Sequence, residues 1–148
     1  MPSWSCWTGV KKRKKLGRST AAGGAAPPVA PAEIRRGDIF WVCCDPSVGV
    51  EPKKERTCVV VSNDIANRFG QAITVVPTQR YTAERAVREY MADLRSPRST
   101  LAEDRVANAS MVMTYDRTRV VRRAGRVTAE ALASIDRSLA MHLGLSPV

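Results

Sequence analysis

The residue types that could do chemistry in this chain start from an arginine and a scarcity of histidine. Arg56 stands at the mouth of the β-branched run in KKERTCVVVSND, residues 53–64. A guanidinium offers several N–H donors in a fixed fork that fits the non-bridging oxygens of a phosphate. The same residue would serve equally as a solvated flank to a strand. His142 is the only histidine, so two imidazoles cannot divide acid and base work, and no histidine cluster can hold a hydrolytic metal. The four cysteines show no C-x-x-C spacing: Cys43 and Cys44 are adjacent, Cys6 lies near the start and Cys58 in another apolar run. Neighbouring strand positions point to opposite faces, so these thiols read as buried, reduced structural residues rather than zinc ligands. Composition thus excludes metal-dependent hydrolysis by a histidine cluster and leaves Arg56 open between a phosphate-binding role and a solvated strand flank.

The elements that must position such a site can be read from periodicity. GDIFWVCC, residues 37–44, has strand composition and is followed by a turn-forming stretch over 45–54. TCVVVS, residues 57–62, reads as an interior strand, and NDIANRF, 63–69, as a helical turn that Gly70 ends. AITVVPT, 72–78, reads as a strand stopped by Pro77, and residues 79–85 as a mobile basic loop. The alternation in AVREYMADL, 86–94, predicts another strand, and residues 105–116 and 119–127 supply further β structure. The period then changes. Leu132, Ile135, Leu139 and His142 fall on one helical face, with Thr128 as N-cap and Gly144 as the stop. The sum is an α+β fold, a small SH3-like twisted β-barrel with a C-terminal helix.

Charge and composition bound the class. The chain has 148 residues, one domain's worth, and a net charge of +10. Six of the 24 basic residues and none of the 14 acidic ones fall in residues 1–32, leaving a domain over 33–148 at about +4. Residues 1–32 read as a disordered basic extension rich in Ala, Gly and Pro. No apolar run approaches the roughly 20 residues of a membrane span, and no secretory signal follows the basic cluster. The expected setting is the cytoplasm, with a polyanion as a suitable partner.

The order of the segments carries a resemblance. The G-D-I-F-W strand, the D-P-S-V-G-V-E loop, the arginine before VVVSND, the strand ITVVPT and the closing VTAEALASIDRSLAMHLGL together resemble the MazF/PemK family of toxin endoribonucleases, over about residues 34–145. The resemblance implies a homodimer of barrel-like, MazF/CcdB-like subunits. It also implies metal-independent, sequence-specific cleavage of single-stranded RNA, mRNA first and rRNA or tRNA as further targets. The 2′-OH attacks and leaves a 2′,3′-cyclic phosphate and a 5′-OH. A cognate antitoxin is the implied protein partner, and with it DNA binding.

On that resemblance the catalytic positions fall on Arg56 and Thr78. Glu51 belongs to the loop beside the site, Lys53 and Lys54 can attract phosphates, Asn63 can contact a base or cap the following turn, and Thr114 matches a polar family position. Trp41 could stack a base, although an aromatic in a strand is more often core. His142 reads as a residue of the core-facing helical stripe. Two departures stand out. Thr57 replaces the proline that commonly follows the family arginine, and Met111-Val112-Met113-Thr114 replaces a Q-I-R-T type segment. Two other functions fit parts of this pattern: a non-catalytic, gyrase-poison-like toxin on the same fold, and a nucleic-acid module that uses its basic tail.

Overall fold

A computed structural model describes residue 30 and residues 33–145 of the chain. Apart from Ala30, the extension expected over 1–32, with its basic run and Cys6, lies outside the described residues. The elements run β1 (Asp38–Cys43), β2 (Glu55–Val60), α1 (Asp64–Phe69), β3 (Ala72–Arg80), α2 (Ala83–Ala86), β4 (Met91–Asp93), β5 (Arg105–Asn108), β6 (Met113–Asp116), β7 (Val120–Arg126) and α3 (Ala129–His142). All seven strands join one antiparallel sheet in the order β4-β5-β3-β2-β1-β7, with β6 pairing a second stretch of β3. The sheet is twisted and open, an α+β arrangement closed on one side by the C-terminal helix, as expected.

Both faces of the central strands are buried, which explains their near-continuous apolar runs. Phe40, Val42, Cys44, Cys58, Val60, Ile73 and Val75 form one core with Tyr115 and Val120. Ile39, Val59 and Val76, one step out of phase, join Ala92, Leu94 and Ala107 in a second core against Ala131 and Ile135 of α3. Cys43 and Cys44 therefore leave opposite faces, and both are buried. Burial pushes the Cys43 thiol up. The bond to Cys44, then burial, pushes Cys58 well up. Protonated thiols of this kind are inert packing groups.

Three expectations are corrected by the sheet. Pro77 does not stop β3, which runs on to Arg80. The Thr74 carbonyl accepts from Val61 N at 2.9 Å, so alternation turns Val76 toward β2 and Pro77 to the other edge. On that edge pairing to β6 ends at Val75 and pairing to β5 begins at Thr78. The missing N–H falls in the gap and no ladder bond is lost. The basic loop expected over 79–85 is instead the end of β3 followed by α2, whose N-cap Thr82 accepts from Arg85 N at 3.2 Å. The strand expected over 86–94 shrinks to Met91–Asp93, because α2 claims Ala86 and leaves Val87 82% exposed.

Helix α3 starts at Thr128, whose hydroxyl accepts from Ala131 N at 3.2 Å. Its buried face is Ala131, Ile135 and Ser138, with Leu132 and Leu139 partly covered. His142 is exposed rather than core-facing: the last turn of the helix outruns the sheet, and Met141 and Leu143 are exposed with it.

Candidate active site

Arg56 is delivered by a shaped turn. After β1 the chain crosses a loop in which Glu51 Oε2 accepts from Val48 N at 2.9 Å and Glu51 N donates to Val48 O at 3.1 Å. Gly49 sits inside this turn at φ +59°, a conformation that costs glycine little. Lys54 takes the left-handed conformation at φ 59°, and its carbonyl accepts from Cys44 N at 2.7 Å. That bond starts the β1–β2 ladder, and Arg56 follows two residues later. Its side chain is exposed, with Nε donating to Lys53 O at 3.0 Å. The remaining N–H groups have no partner among the described residues, so the far end of the guanidinium is left for a ligand.

Arg56 and Thr78 line the same cleft, a cavity of about 600 Å³ shared with Glu51, Lys53, Gln79 and Arg80. Arg85 and Arg105 complete the wall. Five cationic side chains thus face one carboxylate in its lining, which suits a polyanion. Glu103 takes up part of that charge through Arg105 Nη2 at 3.0 Å. Among the described residues, no three His, Cys, Asp or Glu side chains are grouped so as to hold a metal ion.

Thr78 is placed differently from Arg56. It is only 2% exposed, and its hydroxyl lies 2.5 Å from that of Thr57, which is 5% exposed. The pairing follows from register: Cys58 faces Pro77 across the strands, and Thr57 and Thr78 are each one residue beyond. Alternation puts both threonines on the face of Val59 and Val76, while Arg56 leaves on the face of Cys58. Two hydroxyls that share one hydrogen bond retain one proton for another acceptor. Either hydroxyl can be the donor in that bond; of the two residues, Thr78 borders the cleft and Thr57 does not.

The other candidates divide. Lys53 and Glu51 line the cleft, Glu51 mainly as the brace of its loop. Lys54 is exposed but not part of the lining. Asn63 is the N-cap of α1, accepting from Ala66 N at 2.8 Å, away from the cleft. Thr114, on β6, shares a hydrogen bond of 2.9 Å with Thr74 and also lies outside it. Trp41 is half-buried under the Arg122 guanidinium, 4.8 Å from its ring centre. Sequence reasoning missed Thr57, Gln79, Arg80 and Arg85. The signal for Gln79 and Arg80 was a strand that continues past its proline, Arg85 follows on α2, and the polar residue after Arg56 was the signal for Thr57.

Comparison with known proteins agrees with this architecture. A sequence model of the PemK-like, MazF-like toxins of type II toxin–antitoxin systems matches residues 35–143. Endoribonuclease MazF9 of Mycobacterium tuberculosis is 38% identical over 117 residues, which span 76% of this chain and 98% of that protein. Endoribonuclease EndoA of Bacillus subtilis is 25% identical over 112 residues, 76% of this chain and 96% of that protein. In fold, MazF of Deinococcus radiodurans superposes with a TM-score of 0.65 at 20% identity, over 76% of this chain and 97% of that one. A mycobacterial endoribonuclease solved in complex with its cognate antitoxin superposes at 0.62, also at 20% identity, over 78% and 99%.

Proposed function

The chain belongs to the PemK-like, MazF-like toxin family, and on that premise we propose that Arg56 and Thr78 carry the chemistry of its RNA cleavage. The protein is an endoribonuclease toxin of a toxin–antitoxin system. Its substrate is single-stranded RNA, and the 2′-OH beside the scissile phosphate is the nucleophile. In-line attack on phosphorus expels the 5′-oxygen and leaves a 2′,3′-cyclic phosphate and a 5′-OH. Such a reaction needs little beyond alignment and relief of the charge that builds on the phosphorane. The free end of the Arg56 guanidinium meets both needs with paired N–H donors. Arginine holds its own proton too tightly to act as an acid, so its part is electrostatic, and water or the Thr78 hydroxyl handles proton traffic. Lys53, Arg80 and Arg85 hold the flanking phosphates.

The observation that supports this most is the shared cleft: Arg56, with one guanidinium end unpaired among the described residues, and the hydroxyl residue Thr78 border it together with a surplus of cations. The enzyme works in the cytoplasm as a homodimer, held inactive by a cognate antitoxin that fills the same groove; the fold relative solved with its antitoxin supports that pairing. Long single-stranded RNA digested with a chelator present, followed by end mapping, tests the reading. Wild type is expected to cut and to leave cyclic phosphate ends. Arg56→Ala is expected to lose at least about 100-fold in rate with an unchanged melting curve. Full cutting by Arg56→Ala would discard this site. Intact RNA with wild type would favour a toxin that acts by binding a protein.

A further inference from the structure

Beside the catalytic cleft opens a second one of about 470 Å³, and Gln79, Arg85 and Met111 border both. Asn108, the last residue of β5, lies in its wall and is 4% exposed. Its Oδ1 accepts from Ser110 N at 3.1 Å and from Ser110 Oγ at 2.6 Å. A backbone N–H can only donate, so the oxygen must occupy that end of the amide. The nitrogen end is thereby turned the other way, and Nδ2 has no partner among the described residues. It is not sealed in: the buried side-chain atoms without partners there are Nε and Nη1 of Arg117. Asn108 borders the cleft, which is the open side toward which that end can donate.

The surroundings suit a nucleotide. The Tyr90 carbonyl accepts from Ala109 N at 2.8 Å, which ties the ring's backbone to the end of β5. The Tyr90 hydroxyl accepts from Arg88 Nη1 at 2.6 Å, so an aromatic face and a cation stand together in the wall. Aromatic rings of this kind stack unpaired bases in single-stranded RNA, and arginines hold the attached phosphates. Glu84 also lines the cleft, and its carboxylate repels phosphate, so the backbone must run along the Arg85 and Arg88 side.

Resting on the endoribonuclease reading, we infer that this second cleft is a nucleobase subsite in which Asn108 donates to a carbonyl oxygen and selects guanine or uracil over adenine and cytosine. An amide with both ends free reads adenine through a donor and an acceptor together. Here the acceptor end is already taken by Ser110, and only donors remain. Guanine and uracil present an oxygen where adenine and cytosine present an amino group, and two donors cannot bond. The base is a close neighbour of the cut, because Ala107 pairs with Thr78 and Asn108 follows it on the adjacent strand.

The test maps cuts in a library of randomised single-stranded RNA with wild type and Asn108→Asp. Aspartate keeps the oxygen that Ser110 needs and replaces the donor end by an acceptor. Wild type is expected to prefer guanine or uracil about tenfold or more at one position flanking the cut. Asn108→Asp should lose or invert that preference there alone. A second arm uses only wild type, so folding of the variant does not matter: 2-aminopurine for guanine, or 4-thiouracil for uracil, at that position should slow cutting several-fold. Cutting with no keto preference at any flanking position, an unchanged preference in Asn108→Asp, or indifference to the modified bases overturns the subsite while leaving the catalytic reading intact. No cutting by wild type on any RNA takes both down.

Discussion

Thr57→Val changes one atom group at the position that most directly controls the Thr78 hydroxyl. Valine keeps the branched shape and the strand preference of threonine, so the cross-strand packing of a residue only 5% exposed is preserved. What disappears is the partner 2.5 Å from Thr78 Oγ1. If the bond merely holds one of three staggered rotamers, losing it lets the hydroxyl spread over the others and costs about threefold in rate. If the bond's net worth of about 1 kcal/mol is spent wholly on orientation, the loss is about fivefold, tenfold being about 1.4 kcal/mol. The expected result is a kcat reduced about 3- to 5-fold with KM for RNA unchanged. Thr57→Ser should return most of it. In a Thr78→Val background the Thr57→Val change should add nothing, because residues acting as a unit are not additive. Cleavage of a short labelled RNA in the presence of chelator, measured for all four combinations, reads this directly. Wild-type kcat in Thr57→Val, with only a lowered denaturant midpoint, would show that the pair supports the sheet and does not orient a catalytic hydroxyl.

Three other outcomes are expected. Arg56→Lys keeps the charge but not the fork, so its single-turnover cleavage rate should stay far below wild type, by about 100-fold. Asn63→Ala removes the cap of α1, so the unfolding free energy from denaturant titration should fall by about 1 kcal/mol while RNA cleavage stays at the wild-type rate. Asp93 is held below the usual carboxylate range by hydrogen bonds from Arg95, with Arg98 also beside it. A depressed carboxyl contributes stability in full above its unfolded value, near 4, and loses it as pH falls through the folded value. Asp93→Asn should therefore cost about 1–3 kcal/mol at neutral pH, and urea titrations should show the gap to wild type closing below about pH 4.

Local chemistry carried much of the fold into the sequence. The aromatic and β-branched residues over 39–43 and the β-branched run over 57–62 favour strands wherever they sit, because strand preference and an apolar side chain act residue by residue. The Asn63 and Thr128 caps and the 3.6-residue spacing of α3 are equally local. They were legible for that reason. Arg56 was visible as a guanidinium before a strand, and segment order attached a family to it. Other features depended on partners distant in the chain. β3 continues through Pro77 because the change of partner from β6 to β5 leaves no bond for its N–H to make. Thr57 matters because register brings its hydroxyl against a residue 21 positions away. Asn108 keeps a nitrogen without a partner among the described residues because Ser110 occupies its oxygen, and the fold puts the residue at the border of a cleft. Residue type and spacing determined which elements form and which side chains could act. Which donors are spent and which remain open is set by cross-strand neighbours, and only the folded sheet supplies those.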